Sequence, residues 1–283
     1  MKNFGIFFNP NIENKEKIFA LLKQFHDKEG VKLYRFVEQD FMPEYFYKVK
    51  ISNGEHLDYI LVFGGDGTIL HASEYSIKCK APILGINLGK LGFLSESNLT
   101  ELKRSISDLC SGKFKIQHRM LLKVSIKRKN EIIYSGLVLN DAVIYRGEVS
   151  RLINIKYFCN KRFVMETRCD GIVIATPTGS TAYNLSAGGP IISPWMEAIV
   201  VTPLNPHVLT VRPIVFSHKD VLTFQIKKTE NNSVLQLDGR KSHNLEKGDE
   251  IIIKSAYKKV DFVKLSNKTF YSILRKKFHL GKK

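Results

Sequence analysis

Short apolar runs alternate with amphipathic segments over the first part of the chain. Residues 4–8 form an apolar run closed by Asn9-Pro10, which predicts a strand. Ile18, Leu21, Leu22 and Phe25 then recur on one helical face, and Gly30 is placed to end that helix. Residues 31–37 predict a second strand. Residues 38–54, punctuated by Pro43 and Gly54, keep no clear period. Residues 59–63 predict a buried strand, residues 69–77 a helix, and residues 81–86 another buried strand. Leu99, Leu102, Ile106 and Leu109 mark a helix ending near Gly112. Strands alternating with helices predict an α/β domain over residues 1–112, with a Rossmann-like parallel sheet.

Beyond residue 112 the period becomes that of strands. Leu122, Val124 and Ile126 alternate with Lys123, Ser125 and Lys127, and a polar turn at 128–131 leads to a returning strand at 132–139. Residues 152–157, 163–167, 208–216, 221–227, 234–237, 250–254 and 259–265 read as strands separated by turns. Residues 113–265 therefore predict a mostly-β domain. In the tail, Phe270, Ile273, Leu274 and Phe278 have helical spacing. Residues 266–283 thus predict a C-terminal helix packing back on one of the domains, followed by a basic tail.

Composition narrows the class. The chain has 283 residues, 43% hydrophobic and 25% charged, enough to bury one large core or two ordinary ones. No stretch approaches the ~18 apolar residues of a membrane span, and the N-terminal run is too short for a signal peptide, so no membrane partner is expected. Cys79, Cys110, Cys159 and Cys169 are widely spaced, which argues against zinc and a disulfide framework and fits a reducing cytoplasm. The formal charge of +17 attracts nucleic acid, acidic membranes or polyanionic small molecules. Its lysines are spread along the chain, densest at Arg275-Lys276-Lys277 and Lys282-Lys283, without an RNA-binding aromatic signature. A solvated surface is favoured over dedicated nucleic-acid binding, and a site that gathers nucleotide phosphates is compatible with either.

Four stretches carry candidate chemistry. The strand at 59–63 runs into Gly64-Gly65-Asp66-Gly67-Thr68. Glycines leave the backbone bare to curl its N–H groups toward an anion, and the helix that follows adds the positive end of its dipole. There Asp66 can take a proton from a hydroxyl or hold a phosphate-bound metal; equally it can cap the helix in a tight turn. Asn87-Leu88-Gly89-Lys90-Leu91-Gly92-Phe93-Leu94 is a second glycine-rich loop. Asn140-Asp141 closes a strand and suits either an adenine edge with a ribose hydroxyl or an Asx turn. Residues 170–190 combine a buried strand, a Pro/Gly turn and the hydroxyls of Thr176, Thr178, Ser180, Thr181 and Ser186. That composition suits a ligand lying against the main chain and an ordinary polar loop alike. Arg168 and Asp170 share one side of a strand and can pair with each other. His71, beside the first loop, reads as a helix-surface residue.

Taken in order, these stretches resemble the NAD kinase family. The matching pieces are Gly64 through Thr68, Gly85-Ile86-Asn87 with Gly89, Leu91-Gly92-Phe93-Leu94 and Leu139-Asn140-Asp141. Asp170-Gly171, Thr176-Pro177-Thr178-Gly179-Ser180-Thr181-Ala182-Tyr183, Gly188-Gly189-Pro190-Ile191 and Arg212-Pro213 follow. Gly-Gly-Asp-Gly is shared with diacylglycerol kinases, sphingosine kinases and phosphofructokinases, and the Thr176–Tyr183 stretch decides among them.

The resemblance implies a phosphotransferase with an alcohol group as acceptor. ATP would phosphorylate the 2′-hydroxyl of the adenosine ribose of NAD, giving NADP, with a divalent cation such as Mg²⁺ bridging the nucleotide phosphates. It implies Asp66 as the catalytic base and Gly64, Gly65, Gly67 and Thr68 as the phosphate loop. It implies an NAD site drawn from Asp66, Gly67, Asn140, Asp141, Arg151, Arg168, Asp170, Thr178, Thr181, Ala182, Tyr183, Asn184, Leu185, Ser186 and Arg240. The sequence itself holds no dedicated metal cage, and Mg²⁺ often binds through phosphates and water; the resemblance implies a homodimer or homotetramer whose neighbouring subunit completes the NAD pocket. Two departures stand out. Leu88 and Lys90 replace the Arg and Asn frequent in the family's second loop, and Arg240 follows Asp238-Gly239 where a Gln is common. The alternatives are a lipid kinase of the diacylglycerol or sphingosine type and a non-catalytic nucleotide- or nucleic-acid-binding regulator.

Overall fold

The computed structural model describes residues 1–13, 15–26, 30–50, 56–89, 92–147, 152–228, 233–279 and 281. They form two compact units, residues 1–118 with 260–283, and residues 119–259. The sequence places its boundaries after 112 and 265. The units divide a few residues away from both because a strand runs through each division.

The first unit holds β1 (Lys2–Phe8), α1 (Lys15–Lys23), β2 (Val31–Phe36), β3 (Tyr47–Val49), β4 (Tyr59–Phe63), α2 (Asp66–Cys79), β5 (Ile83–Asn87), β6 (Ser97–Asn98) and α3 (Leu102–Cys110). The order β5-β4-β1-β2-β3 is parallel throughout. Parallel neighbours need crossovers, which α1 supplies between β1 and β2 and α2 between β4 and β5. The alternation of β1 explains its two faces. Phe4, Ile6 and Phe8 share a core with Ile18, Phe19 and Leu22 of α1 and with Leu102, Ile106 and Leu109 of α3. Phe7, pointing the other way, meets the rings of His71 and Tyr75 on α2 at 5.0 Å each. The chain steps to one side of β1 through β2 and to the other through β4. At such a reversal the carboxyl ends of the strands leave a crevice that no crossover covers. The Gly64–Thr68 turn leaves β4 there, beside Asn9, whose N–H donates to the Phe63 carbonyl at 3.3 Å.

The second unit is built mostly from antiparallel strands. They are β7 (Lys115–Arg128), β8 (Glu131–Val138), β9 (Asp141–Tyr145), β10 (Ile153–Cys159), β11 (Arg162–Cys169) and β12 (Gly171–Ala175). After the short helix α4 (Tyr183–Ser186) come β13 (Ala198–Leu204), β14 (Ile214–Ser217), β15 (Leu222–Lys228), β16 (Val234–Leu237), β17 (Lys241–Asn244) and β18 (Glu250–Lys264). One sheet has the order β14-β13-β12-β9-β16-β17. The opposing layer contains β11, β10, β15 and the start of β18, with the hairpin β7–β8. Alternate residues of the two layers make the core: Ile144, Ile172, Ile174 and Val201 from the first, Ile155, Tyr157, Phe224 and Ile253 from the second. On the outer face of the first sheet, Val143, Val173, Ala175 and Val200 pack with Ile192, so the segment after β12 folds back over that face.

Several elements differ from the sequence expectation, and β9 (Asp141–Tyr145) and β17 (Lys241–Asn244) are strands that it does not include. The strand expected at 208–216 survives only as Ile214–Ser217, because Val208 and Leu209 are 50% and 85% exposed and Pro206 and Pro213 lack the donors of a ladder. Ala198–Leu204 carries no strand expectation, yet it pairs through the sheet with Pro203 opposite Ile172. The strands expected at 250–254 and 259–265 are one, Glu250–Lys264. The tail is helical as expected: α5 (Phe270–Phe278) belongs to the first unit and starts with a capping box between Thr269 and Ser272. Among the described residues no helix is long and apolar enough to cross a membrane.

Gly85 sets how closely α2 lies on β5. A Cβ there would stand 2.5 Å from Ile69 Cδ1 and 3.0 Å from the Leu94 carbonyl oxygen. Gly85→Ala is expected to lower stability by about 1–3 kcal/mol through overpacking, measured by urea unfolding; wild-type stability would show that α2 is free to shift.

Candidate active site

The Gly64–Thr68 turn is shaped from within at one glycine and left open at two. Gly64 has φ of +153°, and a Cβ on it would collide with the Thr68 side chain. Gly65 and Gly67 have nothing within 4 Å of where a Cβ would be. No internal packing demands glycine at these two positions, whereas a ligand laid against bare backbone does. Gly65 is the N-cap of α2, and no side chain caps the helix. The first amides of a helix lack carbonyl partners one turn back, so an uncapped start presents them to an anion.

Asp66 is therefore not a cap. Its carboxylate turns to the loop after β5, where Oδ2 accepts from the Phe93 N–H at 2.9 Å and Oδ1 from the Leu94 N–H at 3.0 Å. The loop is bent for this by Gly92, whose N–H donates to Ser95 Oγ at 3.0 Å. A Cβ on Gly92 would overlap the Asp66 carboxylate, so only glycine lets the two segments meet. A carboxylate has about four acceptor sites. Two amides leave Asp66 free capacity, and its side chain is 33% exposed, with Lys277 Nζ 3.6 Å from Oδ2.

In the second unit, Asn140 and Asp141 are held from two directions. Asp238 accepts the N–H groups of Leu139, Asn140 and Asp141 at 2.9, 2.8 and 3.1 Å. From the other side, the Thr176 hydroxyl donates to the Leu139 carbonyl at 2.6 Å, and the Thr176 N–H to the Asn140 carbonyl at 2.8 Å. Gly179 is glycine because a Cβ there would strike the Asn140 carbonyl. Asp141 is 5% exposed. Burial, and then the negative charge of Asp238, push its carboxyl up to about 7. Near neutral pH Asp141 thus exists partly as the acid, which donates a hydrogen bond as well as accepting one.

The loop after β12 is tied by buried polar groups. Ser180 Oγ donates to the Pro177 carbonyl at 2.7 Å and accepts from the Ile192 N–H at 3.0 Å. Asn184 Nδ2 reaches the Ser180 and Pro190 carbonyls, each at 3.1 Å, and Asn184 Oδ1 accepts from the Thr202 hydroxyl at 2.7 Å. Ser180 and Asn184 are fully buried, so they fix the loop from beneath. Thr178 is nearly buried, Thr181, Ala182 and Leu185 are half-buried, and Tyr183 and Ser186 are exposed.

Other expected residues stand apart. Arg168 is exposed on β11, and Asp170 pairs not with it but with Arg146 Nε at 3.1 Å, while accepting from Asn205 Nδ2 at 2.9 Å. Arg240 is exposed in the turn after β16. Leu88 packs against the core of the first unit. Arg151, Lys90 and Leu91 lie outside the described residues. Sequence reasoning missed Asp238, Arg146, Asn205 and Lys277 as neighbours of these groups. Asp238-Gly239 closing a strand was the one local signal; the others are long-range pairings. Among the described residues no cluster of three or more His, Cys, Asp or Glu is placed to hold a metal. A cavity of about 300 Å³ elsewhere on the first unit is lined by Glu96, Arg104 and Asp108; Lys264 engages Glu96, and Arg104 engages Asp108.

Comparison with known proteins adds a second line. Residues 4–114 match the family model of the ATP-NAD kinase N-terminal domain, and residues 139–265 that of the ATP-NAD kinase C-terminal domain. The chain is 37% identical to the NAD kinase of Lachnoclostridium phytofermentans, over 98% of this chain and 99% of that protein. It is 40% identical to the NAD kinase of Carboxydothermus hydrogenoformans, over 79% and 80% respectively. Among solved structures, yeast NADH kinase complexed with NADH aligns with a TM-score of 0.88 at 27% identity, covering 100% of this chain and 89% of that one. An NAD kinase from Archaeoglobus fulgidus in complex with ATP shares the fold, with a TM-score of 0.73 at 23% identity over 99% of each chain.

Asp141 sets a pH dependence of stability. An unfolded Asp ionises near ~4, and the folded one at about 7. Keeping Asp141 buried therefore lowers stability increasingly as pH rises from about 4 to about 7, and by a constant amount above. Asp141→Asn removes this dependence. Its stability relative to wild type is expected to improve by about 2 kcal/mol between pH 5 and pH 8 in calorimetric melts; a pH-independent difference would contradict the buried-acid assignment.

Proposed function

The chain belongs to the ATP-NAD kinase family, and from that premise we propose that it transfers the γ-phosphoryl group of ATP to the 2′-hydroxyl of the adenosine ribose of NAD, giving NADP. Phosphoryl transfer is mostly positioning and charge neutralisation, with a carboxylate to orient the attacking hydroxyl and take its proton. The observation that carries this reading is Asp66, gripped by the two loop amides at the head of an uncapped helix. Main-chain amides fix its direction before any substrate arrives, which is what a positioned base requires. The open backbone at Gly65 and Gly67, shaped by Gly64 and Thr68, suits the phosphates of the donor.

NAD is assigned to the residues of the second unit. Asn140 and Asp141 read the adenosine, Asp141 with a proton available near neutral pH. Thr178, Thr181, Ala182, Leu185 and Ser186 line the dinucleotide, and the half-exposed ring of Tyr183 offers a stacking face. Asp170 with Arg146, and Arg151, Arg168 and Arg240, serve the nicotinamide amide and the pyrophosphate. Asn184 acts by holding the loop. Membership of the family sets aside the lipid-kinase alternative.

A divalent cation, Mg²⁺ by this reading, enters with the nucleotide. Mg²⁺ takes oxygen ligands and often reaches a protein through phosphates and water. Among the described residues no cluster of His, Cys, Asp or Glu is placed to cage the ion, so no residue of this chain is assigned to it; the ion lowers the charge of the phosphates it binds. A cytoplasmic homodimer or homotetramer completes the proposal. Its support is the exposure of large apolar side chains, Trp195, Met196 and Leu209 at 51%, 52% and 85%.

The purified protein incubated with ATP, Mg²⁺ and NAD is expected to form NADP, read out by an NADP-specific dehydrogenase. Absence of NADP with every phosphoryl donor would sink the reading. Asp66→Asn is expected to reduce turnover by at least ~10²-fold with NAD affinity retained; near-normal turnover would remove Asp66 from the role of base.

A further inference from the structure

The C-terminal helix reaches the Asp66 turn through a single charged side chain. Lys277 Nζ lies 3.6 Å from Asp66 Oδ2 and 4.7 Å from the centre of the Phe93 ring. Phe93 is itself flanked by Phe270 and Phe278 of α5, at centroid distances of 5.9 and 6.0 Å. The helix therefore straddles the residue whose amide holds Asp66, and Ile273 anchors it at 7% exposure. Of the basic last turn, Arg275-Lys276-Lys277, Lys277 is the one carried toward the Gly64–Thr68 turn.

The contact with Asp66 does not account for Lys277 on its own. A separation of 3.6 Å is long for a hydrogen bond, and both partners are about one-third exposed. Ion pairs of that kind contribute little to stability. An ammonium has three donors, and here it waits at a turn whose Gly65 and Gly67 backbone is open and whose helix start is uncapped. A cation facing a bare, amide-lined turn fits a polyphosphate.

We propose that Lys277 is a ligand of the donor's terminal phosphate, delivered by α5. It rests against Asp66 and Phe93 without nucleotide, and turns to the γ-phosphoryl oxygens when ATP occupies the turn. The inference deepens the kinase reading and rests on it. In the transfer, the acceptor's 2′-oxygen forms a bond to the γ-phosphorus, and the bond from that phosphorus to the β–γ bridging oxygen breaks. The hydroxyl proton passes to Asp66, and ADP leaves. Lys277 makes and breaks no covalent bond; it neutralises charge on the transferring group, and its departure clears Asp66 Oδ2 for the acceptor.

The test is Lys277→Met in the full chain, beside Lys277→Arg and Lys276→Met. Loss of one charge-assisted contact predicts about 10- to 100-fold lower kcat/KM for ATP, with KM for NAD unchanged. Substantial rescue is expected in Lys277→Arg, and wild-type behaviour in Lys276→Met. Calorimetric titration with Mg·ATP, without NAD, is expected to show the same weakening in Lys277→Met. Unaltered ATP kinetics and affinity in Lys277→Met would overturn the inference. So would a parallel loss toward ATP and NAD accompanied by a lower Tm, which marks a structural tether. Should wild type form no NADP, the kinase reading fails, and the ATP titration still decides Lys277: equal affinities refute it, weakened affinity supports it.

Discussion

Two hydrogen bonds, from the amides of Phe93 and Leu94 to the carboxylate of Asp66, tie the end of β4 to the loop after β5. Much of the first unit is arranged to permit them. Gly92 has no side chain to displace the carboxylate, Gly85 lets α2 approach β5, and Gly64 gives the turn a backbone angle that other residues resist. Amide bonds to an ionised acceptor are stronger than neutral ones, and both oxygens are engaged, so the carboxyl plane is fixed. The parallel sheet contributes the remaining constraint: its reversal of order beside β1 leaves the turn uncovered by a crossover.

The second unit solves the same problem with different groups. Its loop after β12 has no long helix to stiffen it. Thr176, Ser180 and Asn184 do so instead, each buried and each bonded to main chain around it. Buried polar groups are costly when unsatisfied and specify one arrangement when satisfied. The neighbouring positions, half-buried Thr181 and exposed Tyr183 and Ser186, are thereby displayed on a rigid base. A stretch rich in hydroxyls thus divides into residues that hold and residues that are presented.

That division was not legible in the sequence. Thr181 and Ser180 are adjacent and chemically alike; burial separates them, and Ser180 is held by bonds to both Ile192 and Asn184 across the loop. The parallel sheet, the hairpin of β7 and β8 and the C-terminal helix were legible because a single period runs through each. Ala198–Leu204 was not, since Pro203 breaks the strand signal while the sheet tolerates it. The glycine turn announced itself by composition, yet its most specific feature, Gly92 making room for a carboxylate 26 residues earlier, is a long-range fit. The same holds for Asp170, whose partner is Arg146 rather than the neighbour two residues away.

The strand Glu250–Lys264 leaves the second unit at residue 259 and enters the first at 260, where Phe262 pairs with Ile83 of β5. The consequence is one of timing on the ribosome. Residues 1–118 emerge first, but their unit stays unfinished until every residue of the other has been made. Through that interval β5 has β4 on one side of Ile83 but lacks Phe262 on the other, and an unpaired strand edge invites wrong association. The residues that fill the edge and bring α5 to Asp66 are translated only after the whole of the second unit. The contact of Lys277 with Asp66 therefore forms only once residues on both sides of the second unit have been made.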